Sequence, residues 1–500
     1  MCLDTKHIKL TYPQHIIRGI DKIPLGWKYT LLPTKKMTYK NSNLINMNQS
    51  VLNKCIGKIY ETIKNIDFSI VTINTYQLYH RSQHQQTSPT DQYTSSTDQY
   101  NIPEYSKIFH QLLMKSEPLV SKSVLDTKKT LLNNNSLFNK CIHQLRNSSY
   151  SSYPNHTSLK FHDLLVSIYS SPEALFTIES QMTTMIKIAF KYTLLGSSHT
   201  YTNLFIYLDY KDLNKYNTPS FLNKVINRIL FINYYLDTHK LPDKIVIYLT
   251  NLKKKFPKLK MSEVSNTKMR NNYTASNVNS AITDSYDIVM YRREELLKSI
   301  LHELVHFHKI DGRHYPNHLI QQLVTRHQIS PENKYHIGEA MTEVLANLFN
   351  VGFIVQEKYN TKNNLTLFSY IKHYKTHTLY EMIHNGIQVS KIVKYLGYSR
   401  FQDFCKLNQS VDNKPLLKHA TCVFSYYVLK MYLLHQIINF VKHFHTDHYC
   451  LMVKNNTQHY QCLDNLFEKS RLDSTLHRFI NYFIKNGPKD NQLRMTAHLL

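Results

Sequence analysis

Glycine is scarce in this 500-residue chain, at 10 residues, and neither GxGxxG nor GxxxxGK[ST] occurs. The glycine-cradled phosphate sites of dinucleotide-binding and P-loop folds are therefore excluded. Cysteine is sparser still, with seven residues (2, 55, 141, 405, 422, 450 and 462), widely spaced and without a CxxC pair. An odd count without a framework points to reduced thiols in an intracellular compartment. Long apolar runs are missing as well. The best stretch, Cys422 to Val441, is broken by Lys430 and His435, so no membrane span is expected. Met1 to Lys9 lacks the charged-then-apolar pattern of a secretory leader. Triplets such as Asn272-Tyr273-Thr274 accordingly carry no weight as glycosylation sites.

Acidic residues are few, 35 against 61 basic ones, and the formal charge is +26. Such an excess favours anionic partners and leaves non-specific nucleic acid open through a basic surface. The basic residues are scattered, however. Their densest run is Lys253-Lys254-Lys255 with Lys258 and Lys260, and no RNA-recognition signature accompanies it. A compositional bias towards Lys, Asn, Ile and Tyr explains the same excess. Apolar content of 42%, with 37 Tyr and 22 Phe, reads as globular, and the length suffices for two or three domains.

Four regions follow from texture. Residues 1–80 mix short apolar runs with turns, and Phe68 to Tyr76 reads as a strand. Residues 81–157 form a low-complexity linker, with the duplication Thr90-Asp91-Gln92-Tyr93 and Thr97-Asp98-Gln99-Tyr100 and a helix over Ile108 to Leu125. Residues 158–310 are tighter. One or two amphipathic helices are expected over Leu159 to Leu195, strands at Tyr201–Leu208 and Ile245–Leu249, and a helix at Phe221–Leu236. Asn277 to Thr283 reads as an edge strand. Residues 311–500 read as mostly helical, with helices expected at Leu365–His373, Val389–Leu396, Leu416–His443 and Leu476–Ile484.

The chemistry lies in Leu301-His302-Glu303-Leu304-Val305-His306. Positions four apart lie about 40° apart around a helix, so His302 and His306 share a face and can bind one zinc ion. Glu303 then reaches a water activated by the ion, as the base of a hydrolase that cuts peptide bonds. With 28 His in the chain, about 0.05 chance matches to HExxH are expected. Local context favours a real site. Leu297, Ile300, Leu301, Leu304 and Val305 have helical spacing, Glu294 and Glu295 fall where a helix dipole favours acid, and Asp287 to Tyr291 reads as a buried strand. Of the 15 glutamates, six lie between Glu294 and Glu343.

A third ligand is needed. Glu339 is the candidate, 33 residues past His306 on an apparent helix to Phe349, with Glu343 one turn on to orient an imidazole. The bland alternative is a pair of solvated helix-face carboxylates, and His308, His314, His318, His327 and His336 remain other candidates. The metzincin pattern wants Gly three and His six residues past the second histidine. Those places hold Lys309 and Gly312, which leaves His314 as the fallback. Tyr426 or Tyr427 is a candidate oxyanion donor, with Tyr427 carried forward. The cluster His443 to Cys450 fits no zinc spacing and reads as a helix end and turn.

His302, Glu303, His306 and Glu339, with Glu343, resemble the zinc signature of gluzincin-type metallopeptidases. Asn277 to Thr283 and Ile288 to His306 are also similar to metallopeptidase-like proteins of large DNA viruses. The resemblance covers about Asn277 to Phe353, with a fainter echo at Val423 to Lys430. It implies an α+β, helix-rich chain. A zincin-like lobe of small sheet plus motif helix would be followed by a helical half closing over the cleft. It further implies one catalytic Zn2+, Glu339 as third ligand, Glu343 where the family often has Asp, and a protein or peptide substrate. Two other readings stay open: a non-catalytic basic scaffold that keeps the fold, and a protease acting on DNA-associated proteins with a histidine in place of Glu339.

Overall fold

The computed structural model describes residues 42–77, 177–178, 182–193, 200–257, 273, 275–283, 286–312, 315–327, 336–360, 364–405, 422–488 and 490–498. The linker duplication, the helix expected over Ile108 to Leu125, and His314 lie outside them.

The sheet is built from segments that alternate or are apolar throughout. β1 (Phe68–Gln77), β2 (Thr184–Tyr192) and β3 (Thr200–Leu208) form an antiparallel meander. In β2, Ile186, Ile188, Phe190 and Tyr192 are buried and alternate with half-buried Lys187, Ala189 and Lys191. This two-residue period makes a strand where helix was expected within Leu159 to Leu195. β4 (Lys244–Tyr248) and β6 (Asp287–Met290) continue the sheet in parallel with β3, and β5 (Ala281–Thr283) closes it as an antiparallel edge. The order is β1-β2-β3-β4-β6-β5. β4 and β6 bury side chains on both faces, which explains their unbroken Ile/Val/Met runs. The edge strand is shorter than expected, because Ala275–Val278 is a helical turn.

Helices cover the sheet. α1 (Ser42–Asn65) is a helix that the sequence reading missed. α2 (Pro219–Leu236) begins at the Thr218 cap with Pro at N1, and ends at Asp237 in the left-handed region. α3 (Leu296–Phe307) is the motif helix, followed by α4 (Asn317–Thr325) and α5 (Ile337–Tyr359). α6 (Leu367–Tyr395) is one helix where two were expected. Its middle carries His377, Thr378, Glu381, His384, Asn385 and Gln388, which look like a polar break in sequence but are all buried. The expected Leu416–His443 helix is, among the described residues, a π-helical segment Phe424–Leu429, then α7 (Lys430–His435) and α8 (Ile437–Phe444). α9 (Thr457–Leu472) and α10 (Ser474–Asn486) complete the chain. The molecule is α+β and helix-rich around a mixed six-stranded sheet. None of the described helices is long and apolar enough to cross a membrane.

One apolar core runs from Leu52 in α1 to Met495. Residues 42–77, expected in a separate N-terminal region, thus share the sheet and core of the rest. The last described segment, 490–498, threads between helices. Glu295 Oε1 accepts from Met495 N (2.6 Å) and Thr496 N (3.0 Å), and Glu381 accepts from the Thr496 hydroxyl and from Ala497 N. Glu294 and Glu295 are therefore buried anchors rather than a solvated first turn. Lys254 donates to Glu295 at 2.5 Å and is 1% exposed, so the Lys253–Lys255 run is no continuous surface patch.

Candidate metal centre

α3 presents His302, Glu303 and His306 because Leu296, Ile300, Leu301, Leu304 and Val305 fill its core-facing stripe. α5 packs alongside and brings Glu339 to them. One oxygen, Glu339 Oε2, lies 3.3 Å from His302 Nε2 and 3.2 Å from His306 Nε2. Among the described residues, only these three group His, Cys, Asp or Glu donors closely enough for a metal ion, with all three donor atoms within 4.8 Å of one another. A tetrahedral zinc at about 2.0–2.1 Å from its donors would set them about 3.3–3.4 Å apart. Both carboxylate–imidazole separations match that spacing.

The other ring nitrogens each lie close to a carboxylate. His306 Nδ1 sits 2.6 Å from Asp311 Oδ2, and the Thr342 hydroxyl donates to that same oxygen at 2.9 Å. An ionised carboxylate only accepts, so Nδ1 carries the proton and Nε2 is left with its lone pair. His302 Nδ1 lies 2.9 Å from Glu343 Oε1, within ion-pair distance but too oblique for a hydrogen bond. The His306 lone pair, a ring nitrogen of His302 and a carboxylate oxygen thus face one another, an arrangement that a cation or a proton between them favours. The electrostatics agree. Burial pushes the His306 imidazolium down, yet Glu339 and Asp311 outweigh it and hold its pKa well above the ordinary value. Burial likewise opposes ionisation of Glu339, but the imidazoles hold its carboxyl below the usual range.

Glu343 is fully buried. Lys298 and Lys430 both donate to it, the latter at 3.0 Å, and they hold its carboxyl well below the usual range against the effect of burial. It is an ion-paired anchor, neither solvated nor at the metal position. Glu303 follows His302 on α3, and the Thr283 hydroxyl on edge strand β5 donates to Glu303 Oε2 at 2.5 Å. The two adjacent tyrosines point to different surroundings. Tyr427 donates its hydroxyl to Leu493 O at 3.2 Å and is corrected as an oxyanion candidate. Tyr426 stacks obliquely near His302, ring centroids 6.2 Å apart. Burial, and then Glu339, Glu343 and Glu303 around it, raise its pKa well above the ordinary value.

Asp311 was not anticipated. Lys309 adopts the left-handed region (φ 57°) past the helix end, and Gly312 follows at φ 71°. This turn swings Asp311 back onto His306. Gly338 lets α5 approach closely, since a Cβ there would sit 3.0 Å from Gly312 O and 3.7 Å from Asp311 Oδ2. The Asp-Gly pair five residues past the second histidine was the available signal, as turn chemistry. Of the other histidines, His327 is buried against Leu323 O and the Tyr432 hydroxyl, and His308 is pushed down to about 4 by burial. Neither joins the triad, nor do His318 and His336. The 443–450 cluster is a helix end and turn, as expected.

Asp311→Ala is expected to weaken metal affinity about 10–100-fold, because the His306 ring loses its orienting partner. Competition against a chromogenic chelator measures this, and unchanged affinity would remove Asp311 from the site.

Comparison of the chain with protein-family models, curated proteins and solved structures gives no match.

Proposed function

We propose that this protein is a zinc-dependent peptidase in which His302, His306 and Glu339 hold the ion and Glu303 is the general base. The observation that carries the reading is the convergence of both Nε2 atoms on one Glu339 oxygen at zinc-like spacing. When bound, the ion supplies Lewis acidity towards a scissile carbonyl and a water. Glu303 takes the proton of the attacking water and returns it to the leaving amine, while Thr283 fixes the carboxyl. Tyr426, kept protonated by its surroundings, donates to the developing oxyanion. Asp311 and Glu343 hold the two imidazoles.

The zincin-like reading of the fold is supported by a mixed sheet whose antiparallel edge strand, Ala281–Thr283, packs against the motif helix. That edge suits an extended peptide added as a further strand. The basic-scaffold alternative draws less support, because Lys254, at the centre of the densest basic run, is buried.

Wild type is expected to carry about one zinc per chain, lost in His302→Ala and in Glu339→Ala. Hydrolysis of a quenched peptide library should stop on chelation and return with zinc. Metal-free wild type, prepared without chelator, would overturn the reading. Zinc kept by Glu339→Ala but lost from His302→Ala would move the third ligand to a histidine.

A further inference from the structure

A cavity of about 260 Å³ opens away from the triad, bounded by the first turns of α2 and α3 and the C-terminal half of α5. Lys215, Thr218, Ser220, Lys224, Arg228 and Glu357 line it. Lys298 and Glu295 also reach its wall, but each is already paired, Lys298 with Glu343 and Glu295 with Lys254. His498 is there too, and burial pushes its pKa down to about 3, so it adds no charge at neutral pH.

The charges left over are three cations and one carboxylate. Arg228 is fully buried. Its Nη1 donates to Glu357 Oε1 at 2.6 Å and to Lys224 O at 3.0 Å, and its Nε donates to Asn350 at 3.3 Å. Its Nη2 has no hydrogen-bond partner but is sealed from solvent, and the guanidinium lies 4.5 Å from the Phe353 ring centroid. Glu357 is shared, lying 3.9 Å from Lys224 Nζ. Lys215 has no carboxylate within ion-pair distance among the described residues. A local excess of two positive charges around a recess raises the concentration of anions there. The Thr218 hydroxyl accepts from Phe221 N at 3.3 Å, so its own proton is available to a ligand, and Ser220 is exposed beside it. Both sit at the positive end of the 18-residue α2. The volume lies just below the range of about 300–1,000 Å³ typical of drug-sized ligands, which favours a small one.

We propose that this cavity binds a phosphoryl dianion, free or carried by a small molecule, through Lys215, Lys224 and the hydroxyls of Thr218 and Ser220, with the buried charge of Arg228 behind them. Two excess charges and donors from several directions suit a dianion with three or more acceptor oxygens better than a carboxylate. The site is independent of the peptidase reading, although it shares a wall with the motif helix, where Lys298 precedes His302 by one turn.

Calorimetric titration of the full chain with inorganic phosphate and, separately, with glycerol 3-phosphate tests this at fixed ionic strength. Saturable binding at one per chain is expected, weakened about tenfold in Lys215→Ala and in Lys224→Ala. Both lysines reach solvent, so these variants should fold. Lys485→Ala, an exposed lysine on α10, should bind as wild type. Tighter binding of the ester would assign the site to a phosphorylated small molecule, and equal affinity would assign it to free phosphate. No saturable binding of either would overturn the proposal. So would equal weakening in Lys485→Ala, which assigns binding to overall charge, or acetate competing as well as phosphate. None of these readouts needs metal or turnover.

Discussion

Glu303→Gln is expected to keep its zinc and lose turnover by about 10²–10⁴-fold, the range for removing a positioned general base. The amide has the same shape as the carboxyl and can still accept the Thr283 hydroxyl at the position where Glu303 Oε2 now accepts it at 2.5 Å. What it cannot do is take a proton from water. Glu303 is not a member of the ligand triad, so metal content should remain near the wild-type value. Two measurements on one preparation decide the matter, zinc by mass spectrometry and kcat on a cleaved peptide. Undiminished kcat would remove Glu303 as the base even if the metal site stands. Loss of zinc together with activity would mean that Glu303 serves the site as a ligand. Thr283→Val should lower kcat less than Glu303→Gln does, since it loosens the base without deleting it, and Thr283→Ser should recover most of the loss.

Glu343→Ala should destabilise the fold by about 3–5 kcal/mol, the cost of leaving buried charge without its partner. Lys298 and Lys430 are 2% and 0% exposed, and both rely on this carboxylate. Lys430 keeps one other acceptor, Met495 O at 2.5 Å, which does not neutralise its charge. Set against a total stability of about 5–15 kcal/mol for a typical domain, the loss is large. Chemical denaturation measures it through the midpoint, and an unchanged midpoint would show that the three charges are not buried together. The triple variant Glu343→Leu, Lys298→Met, Lys430→Met separates stability from function. Replacing a buried ionic cluster by apolar groups of similar volume is often neutral or stabilising. The triple variant should therefore regain the lost stability. It should still bind zinc about 10–100-fold more weakly, because His302 Nδ1 loses the carboxylate 2.9 Å away.

Local patterns were legible wherever a single element decided the outcome. The strands Phe68–Gln77, Thr200–Leu208 and Lys244–Tyr248 and the helix Pro219–Leu236 lie where apolar runs and caps place them. The four-residue spacing of His302 and His306 is likewise a property of one helix. Reading failed where polarity and exposure part company. The middle of α6 looks like a break because His377, Glu381, His384 and Gln388 are polar, yet it is buried around the 490–498 segment. Thr184–Tyr192, a strand within the expected helical stretch, has apolar residues that satisfy both periods over a short window.

By itself the sequence determined which residue types could meet a metal ion and where on a helix they stand, since 3.6 residues per turn is enough to align His302 with His306. It also determined that a carboxylate helix followed, with Glu339 and Glu343 one turn apart. Tertiary structure alone decided which carboxylate does what. Glu339 faces both imidazoles, whereas Glu343 turns to Lys298 and Lys430, which lie 45 and 87 residues away in sequence. It parted Tyr426 from Tyr427, adjacent residues that any helical segment, the π-helical one here included, sends in different directions. Asp311 reaches His306 only because Lys309 and Gly312 turn the chain back. The reason is physical. Periodicity orders neighbours on one element, while the partners of a buried charge are chosen by which elements pack together.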